Sequence, residues 1–285
     1  MNSLDRIAEF KHFESGRLFC LRVSQENSLP SKVLLIVPPF TEEMNKSRKM
    51  MSLLLDEIAA ENTAGYLFDL FGTGDSAGDF REATWGIWRA NLVSMIDFIA
   101  SQNGVEQISI VAIRTGALLV NSVLAEESAI ADKIQSIHYW NPVFNASIFI
   151  GQFLRLKLAA NMMRSNGPKV GAKELRQELL EKGRLEVAGY TLNHALVEGM
   201  EATTITLHPS LSHVPLHFYE LSSLGQITPG LKKKINEVRE SAALSFTHAI
   251  KGAQFWGTQE ISLCDPLLAL TKEKLFTELE TEYAR

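Results

Sequence analysis

Residues 108–119 read ISIVAIRTGALL, and this stretch decides the fold. A short β-branched run passes within a few residues into an apolar helical pattern, which predicts a buried strand, a sharp turn and a helix. Two small residues, Ala112 and Gly116, stand two positions before and after Arg114. A turn this tight brings the flanking backbones into contact and leaves room only for small side chains there. The pattern therefore places Arg114 at the apex of the turn.

This strand–turn–helix resembles the nucleophile elbow of α/β-hydrolases, in which the apex residue attacks the substrate. The guanidinium of Arg114 stays protonated at any working pH and cannot attack a carbonyl carbon. The resemblance therefore implies a hydrolase scaffold that lacks the atom with which hydrolases react.

The rest of the sequence alternates short apolar runs with helical patterns, which is typical of a mostly parallel sheet with helices on both faces. Besides the elbow, strands are predicted at residues 18–24, 33–37, 65–70, 134–140, 215–221 and 244–251. Helices are predicted at residues 44–60, 85–101 and 266–280.

The alternation stops between residues 143 and 202, where helical patterns and a hinge at residues 165–168 leave no convincing strand. Hydrolases of this fold carry a lid at the corresponding place. We therefore expect an α/β-hydrolase fold whose core comprises residues 1–142 and 203–285, with residues 143–202 forming a helical cap.

The composition excludes several kinds of site. A formal net charge of −5 gives no basic surface for nucleic acid. Cys20 and Cys264 do not have the spacing of metal ligands. His208, His213 and His217 are spaced so that the last two would share a face of a strand, but no Asp or Cys is regularly spaced beside them. We expect neither a metal nor a cofactor.

The sequence also predicts a cellular location. Residues 1–16 contain no apolar signal-peptide core. The most apolar stretch, residues 147–163, is interrupted by charged side chains and is too short to cross a bilayer. We expect a cytoplasmic protein without a membrane span.

Two further motifs sharpen the resemblance. Residues 69–78 read DLFGTGDSAG and resemble the D-x-x-G-x-G-x-S loop after the fourth strand of many α/β-hydrolases. Residues 37–48 read VPPFTEEMNKSR and lie where those enzymes place their oxyanion-hole loop. With the elbow, these segments resemble the second hydrolase family associated with the exosortase A system of exopolysaccharide-producing bacteria. The resemblance implies a nominal ester or thioester hydrolase linked to exosortase sorting and exopolysaccharide production.

The other two members of a Ser-His-Asp triad are sought by position. Gly225 stands where the fold places the acid, and Glu220 is a displaced substitute. Residues 251–256 read KGAQFW and contain no histidine at the place of the base, while His248 lies earlier, within a predicted strand. These departures from the family pattern favour a relative without Ser-His-Asp chemistry.

The elbow instead suggests an anion site. The apex arginine and the N–H of Thr115, at the start of a helix, would face the same ligand oxygen. A second backbone donor would come from the Phe40–Thr41 loop. The expected ligand is a small carboxylate or phosphate, such as an acyl or sugar acid.

Several alternatives remain open for this site. Arg114 could instead pair internally with Glu42, Glu43 or Asp75, and at most one of the two glutamates faces the pocket. The candidate ligand-binding residues also include Asn141, directly after the predicted strand at residues 134–140, and Trp256, at the place of the missing histidine. An enzyme with an unusual constellation, a ligand-binding protein and a scaffold are all compatible with the sequence.

Overall fold

The computed structural model describes residues 3–26, 30–163, 171–205, 211–239 and 244–281. The strands are β1 Leu4–Phe13, β2 Gly16–Gln25, β3 Lys32–Val37, β4 Ala64–Phe68, β5 Gln107–Ile113, β6 Ile134–Trp140, β7 Arg184–Val187, β8 Tyr190–Asn193, β9 Leu216–Ser222 and β10 Ser245–Lys251. The helices are α1 Glu42–Ala59, α2 Trp85–Ala100, α3 Gly116–Leu124, α4 Ser128–Ala131, α5 Ala146–Met163, α6 Ala172–Lys182, α7 His194–Glu201, α8 Pro229–Arg239 and α9 Asp265–Thr281. A 3-10 turn spans Phe80–Glu82.

The main sheet has eight strands in the order β1-β2-β4-β3-β5-β6-β9-β10. β2 pairs antiparallel with β1 and β4, and the neighbours from β4 to β10 pair in parallel. The central strands β3 and β5 are buried apolar runs, because helices cover the sheet on both faces. The predicted fold class is confirmed.

Two apolar clusters hold these layers together. Trp88 of α2 and Leu118 of α3 belong to the cluster on one face of the sheet. Leu54 of α1 and Leu268 of α9 belong to the cluster on the other face. Each strand and helix predicted for the sheet has a counterpart, with ends that differ by a few residues. The sequence patterns do not predict β1, an edge strand whose alternating charged and half-buried residues give a weak apolar signal.

Between β6 and β9 the chain leaves the main sheet. This insertion contains α5, α6, the hairpin β7–β8 and α7, and its two ends meet at an antiparallel bridge between Asn145 and Thr204. The prediction of no strand here was wrong. β7 and β8 pair only with each other in the described chain, across a turn in which Ala188 and Gly189 have φ values of 50° and 86°. Strands of four residues are too short to show a reliable alternation.

The hinge predicted at residues 165–168 lies outside the described residues, and the assignment of residues 143–202 as a cap stays a prediction. No helix in the described ranges is long and apolar enough to cross a membrane.

Candidate functional site

The elbow is built by backbone contacts. Arg114 has φ 53°, a left-handed conformation between the end of β5 and the start of α3. Its N–H donates to the carbonyl oxygen of Trp140 at 3.0 Å, and its own carbonyl oxygen accepts from Val143 N–H at 3.1 Å. A Cβ atom on Gly116 would lie 2.7 Å from the carbonyl oxygen of Val37. The close approach explains why the turn requires a small residue at this position.

The Arg114 guanidinium makes three hydrogen bonds inside the protein. Its Nε and Nη2 atoms donate to the two carboxylate oxygens of Glu43 at 3.2 and 3.3 Å. Its Nη1 atom donates to the carbonyl oxygen of Asn141 at 2.9 Å. The guanidinium carbon lies 5.0 Å from the ring centroid of Trp256, within cation–π distance. Solvent still reaches the pair, since the two side chains are 19% and 20% exposed.

The two neighbouring glutamates diverge. Glu43 alone pairs with Arg114, and burial raises the pKa of its carboxyl although the Arg114 guanidinium opposes the shift. Glu42 instead accepts from the Tyr190 hydroxyl and from the Asn45 side-chain amide, both at 3.1 Å. Both glutamates occupy the first turn of α1, where the helix dipole favours a carboxylate.

Tyr190 is a site residue that the sequence reasoning missed. It opens β8, and its ring packs edge-on against Phe80 at 5.4 Å between centroids. Burial, together with the hydrogen bond to Glu42, raises the pKa of its hydroxyl to about 12. No sequence signal identified this residue, because its contact depends on a hairpin that the pattern did not predict. Tyr190 therefore connects the insertion between β6 and β9 to the first turn of α1, which also contains Glu43.

The remaining predicted residues take different roles. Phe40 is fully buried among aromatic rings, including those of Trp88 and Phe153, and so packs the core. Thr41 has φ 48° and leads directly into α1. In the described ranges the backbone N–H groups of Thr41 and Thr115 donate to no protein acceptor. Both residues are buried, each 4% exposed, and their role as donors to a ligand oxygen stays a prediction.

The candidate triad substitutes lie in other networks. The Glu220 carboxylate accepts from the backbone N–H and the hydroxyl of Thr228, at 2.6 and 2.7 Å. His248 bonds to His217, with 2.8 Å between ring nitrogens. Gly225 occupies the place of the acid with φ 62°.

The absence of a metal stays a prediction, and the positions of the histidines are compatible with it. His217 faces His248 rather than His213, and His208 lies outside the described residues. Among the residues described, no group of three or more His, Cys, Asp and Glu side chains is placed to hold a metal ion.

Comparison with known proteins supports the fold alone. No protein-family model matches the chain, and no curated protein matches it. Among solved structures, it is similar to Est1E from Butyrivibrio proteoclasticus with bound ferulic acid, with TM-score 0.63, 14% identity and coverage of 98% of this chain and 100% of that one.

Two other solved structures give the same result. A soluble variant of monoglyceride lipase from Saccharomyces cerevisiae, in complex with a substrate analogue, has TM-score 0.64 and 10% identity, covering 97% of this chain and 96% of that one. Mouse alpha/beta hydrolase domain-containing protein 10 has TM-score 0.56 and 15% identity, covering 98% and 100%. The chain therefore has the α/β-hydrolase fold.

Proposed function

We propose that this α/β-hydrolase-fold protein binds a small carboxylate or phosphate at Arg114 and does not hydrolyse esters. The observation that carries the proposal is the contact between both oxygens of the Glu43 carboxylate and the guanidinium at the elbow apex. An internal carboxylate already occupies the position that an external anion would take. Planar guanidinium groups bind carboxylate and phosphate with the same paired geometry.

The Glu43 contact is suited to displacement. Its N–O distances of 3.2 and 3.3 Å are longer than the roughly 2.7–2.9 Å of a strong charge-assisted bond. Burial already disfavours the charged form of Glu43, as the direction of its pKa shift indicates. A ligand oxygen could in addition accept from the free N–H groups of Thr41 and Thr115, which the Glu43 contact leaves without acceptors.

The same residues argue against serine-type hydrolysis. The apex is an arginine, the place of the acid is Gly225, and Glu220 is held by Thr228. Nucleophilic catalysis needs a base within hydrogen-bond reach of the nucleophile, and no such pair is present at the apex among the described residues. That the catalytic triad is degenerate is part of this proposal. The family resemblance suggests ester or thioester hydrolysis as the nominal activity. Such an activity would need an unusual set of catalytic residues.

The association with exosortase sorting and exopolysaccharide production is also proposed, on the elbow and the motifs at residues 37–48 and 69–78. The cytoplasmic location expected from the sequence belongs to the same proposal, and cell fractionation with a tagged protein tests it.

The direct test is a thermal-shift screen with acetate, glucuronate, inorganic phosphate and a neutral sugar. Anions should raise the melting temperature of the wild type, and Arg114→Gln should abolish the response. Glu43→Gln should respond at lower anion concentrations, because the internal competitor is weakened. Arg6→Gln is a control, since Arg6 also pairs with a carboxylate, donating from Nε and Nη2 to one oxygen of Asp56 away from the elbow.

The outcome that contradicts the proposal is equally clear. If no anion stabilises the wild type or Glu43→Gln, Arg114 is a structural residue and the scaffold hypothesis becomes the leading one. Losing the Arg114 contact should in any case lower stability by about 1.5–3 kcal/mol, because a hydrogen bond to a charged group is removed.

A second experiment addresses hydrolysis. The wild type should not turn over short-chain p-nitrophenyl esters, and Arg114→Ser alone should not create activity, because acid and base would still be absent. Turnover in the wild type that a serine-directed phosphonate abolishes would show that the nucleophile lies elsewhere.

A further inference from the structure

A groove of about 340 Å³ lies beside the elbow, between the chain that follows β6 and the start of α8. Pro142, Phe144 and Leu231 give it an apolar wall. Phe144 is fixed in place by stacking on Phe218, with 6.1 Å between ring centroids. The volume falls in the range of about 300–1,000 Å³ that small-molecule sites occupy.

Asn141 joins this groove to the anion site. It lines the groove, and its carbonyl oxygen accepts the hydrogen bond from Arg114 Nη1 at 2.9 Å. Its side-chain oxygen accepts from Leu221 N–H at 2.6 Å, so its position is fixed by contacts on both sides. Arg114 itself does not line the groove, so a ligand whose head group pairs with Arg114 would have to pass Asn141 for the rest of its structure to reach the apolar wall.

Two of the polar side chains along the groove, Glu220 and Lys234, already have partners. The Glu220 carboxylate is satisfied by Thr228, and Lys234 pairs with Glu237 at 2.7 Å. An aliphatic chain needs no polar partner along Pro142, Phe144 and Leu231, whereas a hydroxyl group placed against this wall would lose its hydrogen bonds to water. The lining favours an acyl acid over a sugar acid.

We infer that the groove binds the aliphatic chain of a carboxylic acid whose carboxylate pairs with Arg114. The inference rests on the proposed anion site and specifies the class of its ligand. The occupant combines a negative head group, complementary to the guanidinium, with an apolar chain that replaces water along Pro142, Phe144 and Leu231.

Two glycines allow a matched test of the groove. Gly230 is the second residue of α8 and lines the groove, and a Cβ there would meet only the Thr228 hydroxyl, at 4.0 Å. Gly86 is the second residue of α2, and a Cβ there would meet only the Thr84 hydroxyl, at 3.9 Å. Both glycines are exposed, and a Cβ at either position meets no core atom. Gly230→Leu fills the groove, and Gly86→Leu provides the control.

The experiment measures dissociation constants by calorimetry for straight-chain acids from acetate to decanoate, below their micellar concentrations. In the wild type and in Gly86→Leu, affinity should rise about fourfold per added methylene until the groove is filled. In Gly230→Leu the rise should stop at a shorter chain, and octanoate should bind at least about tenfold more weakly than to the wild type. Acetate should bind all three proteins equally.

The results separate the groove from the anion site. If acetate and octanoate bind the wild type equally, if glucuronate binds better than octanoate, or if Gly230→Leu keeps the wild-type chain-length dependence, the groove inference is wrong and the anion site stands. If no acid binds either the wild type or Glu43→Gln, both fail. Octanol that binds as tightly as octanoate would also refute the inference, because the head group would then contribute nothing.

Discussion

The elbow and the β7–β8 hairpin both contain a non-glycine residue in the left-handed region, yet their surroundings differ. At the elbow, Arg114 with φ 53° is held by hydrogen bonds to Trp140 and Val143. At the hairpin, Ala188 with φ 50° is exposed, and a Cβ on Gly189 would meet nothing within 4 Å.

The difference shows which of the two left-handed conformations is enforced by the surrounding structure. A strained conformation persists where the surrounding structure over-determines it, and such places cluster at functional sites. The elbow meets that condition because several backbones converge on it. The hairpin turn only has to join two short strands. Its contact with the rest of the protein depends on side chains such as Tyr190.

The largest expected effect tests this contrast at two glycines. Gly116→Ala would place a Cβ 2.7 Å from the Val37 carbonyl oxygen and should cost about 3 kcal/mol, because backbone atoms must move. Gly189→Ala has open space and suffers only from its φ of 86°, so it should cost about 1 kcal/mol. Urea unfolding of both variants measures the difference. Equal losses would mean that the elbow is no more tightly specified than the hairpin.

A second effect concerns the sheet behind the elbow. His138 and His217 stack at 4.7 Å between centroids, and His217 and His248 stack at 5.1 Å. His138 also hydrogen-bonds to Ser136 and Tyr219, at 3.1 and 2.9 Å. Burial lowers the pKa of His138 well below its ordinary value and that of His248 to about 4, and neighbouring histidines add to both shifts.

These shifts predict acid sensitivity. Because the folded histidines stay neutral while the unfolded ones take up protons below about pH 6.5, stability should be full above that pH and fall towards pH 4. His248 is partly solvated, so its share should be at most about 2 kcal/mol.

Chemical denaturation between pH 7 and pH 4 measures this loss, and His248→Gln should flatten the curve. Glu43 acts in the opposite sense through its raised pKa, so a Glu43→Gln background isolates the histidines. Identical profiles for His248→Gln and its parent would refute the assignment.

The same comparison explains what the sequence could predict. The elbow is encoded locally, since an apolar run, Ala112, Arg114 and Gly116 lie within a few residues of one another. The sequence limited the internal partner of Arg114 only to Glu42, Glu43 or Asp75. The observed pair joins residues 71 positions apart and depends on how α1 begins.

The hairpin lay beyond the reach of sequence patterns. Its strands of four residues are half exposed, and the Tyr190–Glu42 bond spans 148 positions. Likewise, the pairing of His217 with His248 depends on the parallel alignment of β9 and β10 rather than on the spacing of histidines along the chain.

The smallest expected effect distinguishes two tyrosine hydroxyls. The Tyr190 hydroxyl bonds to Glu42, whereas the buried Tyr139 hydroxyl in β6 has no partner among the described residues. Tyr190→Phe keeps the ring contact with Phe80 and loses two exposed hydrogen bonds, one donated to Glu42 and one accepted from Asn45, at a local cost of about 1 kcal/mol. Tyr139→Phe removes only an unsatisfied polar atom and should be neutral or slightly stabilising.

Hydrogen exchange resolves this small difference, because opening of the hairpin is a local event that a melting temperature would barely register. In Tyr190→Phe, amides of residues 184–193 should exchange about fivefold faster, while those of residues 108–119 keep their wild-type rates. Tyr139→Phe should leave both segments unchanged. If Tyr190→Phe accelerates both segments equally, the hairpin and the elbow open as one unit. The Tyr190–Glu42 bond would then stabilise the site as a whole, and the contrast between the two turns would not extend to their dynamics.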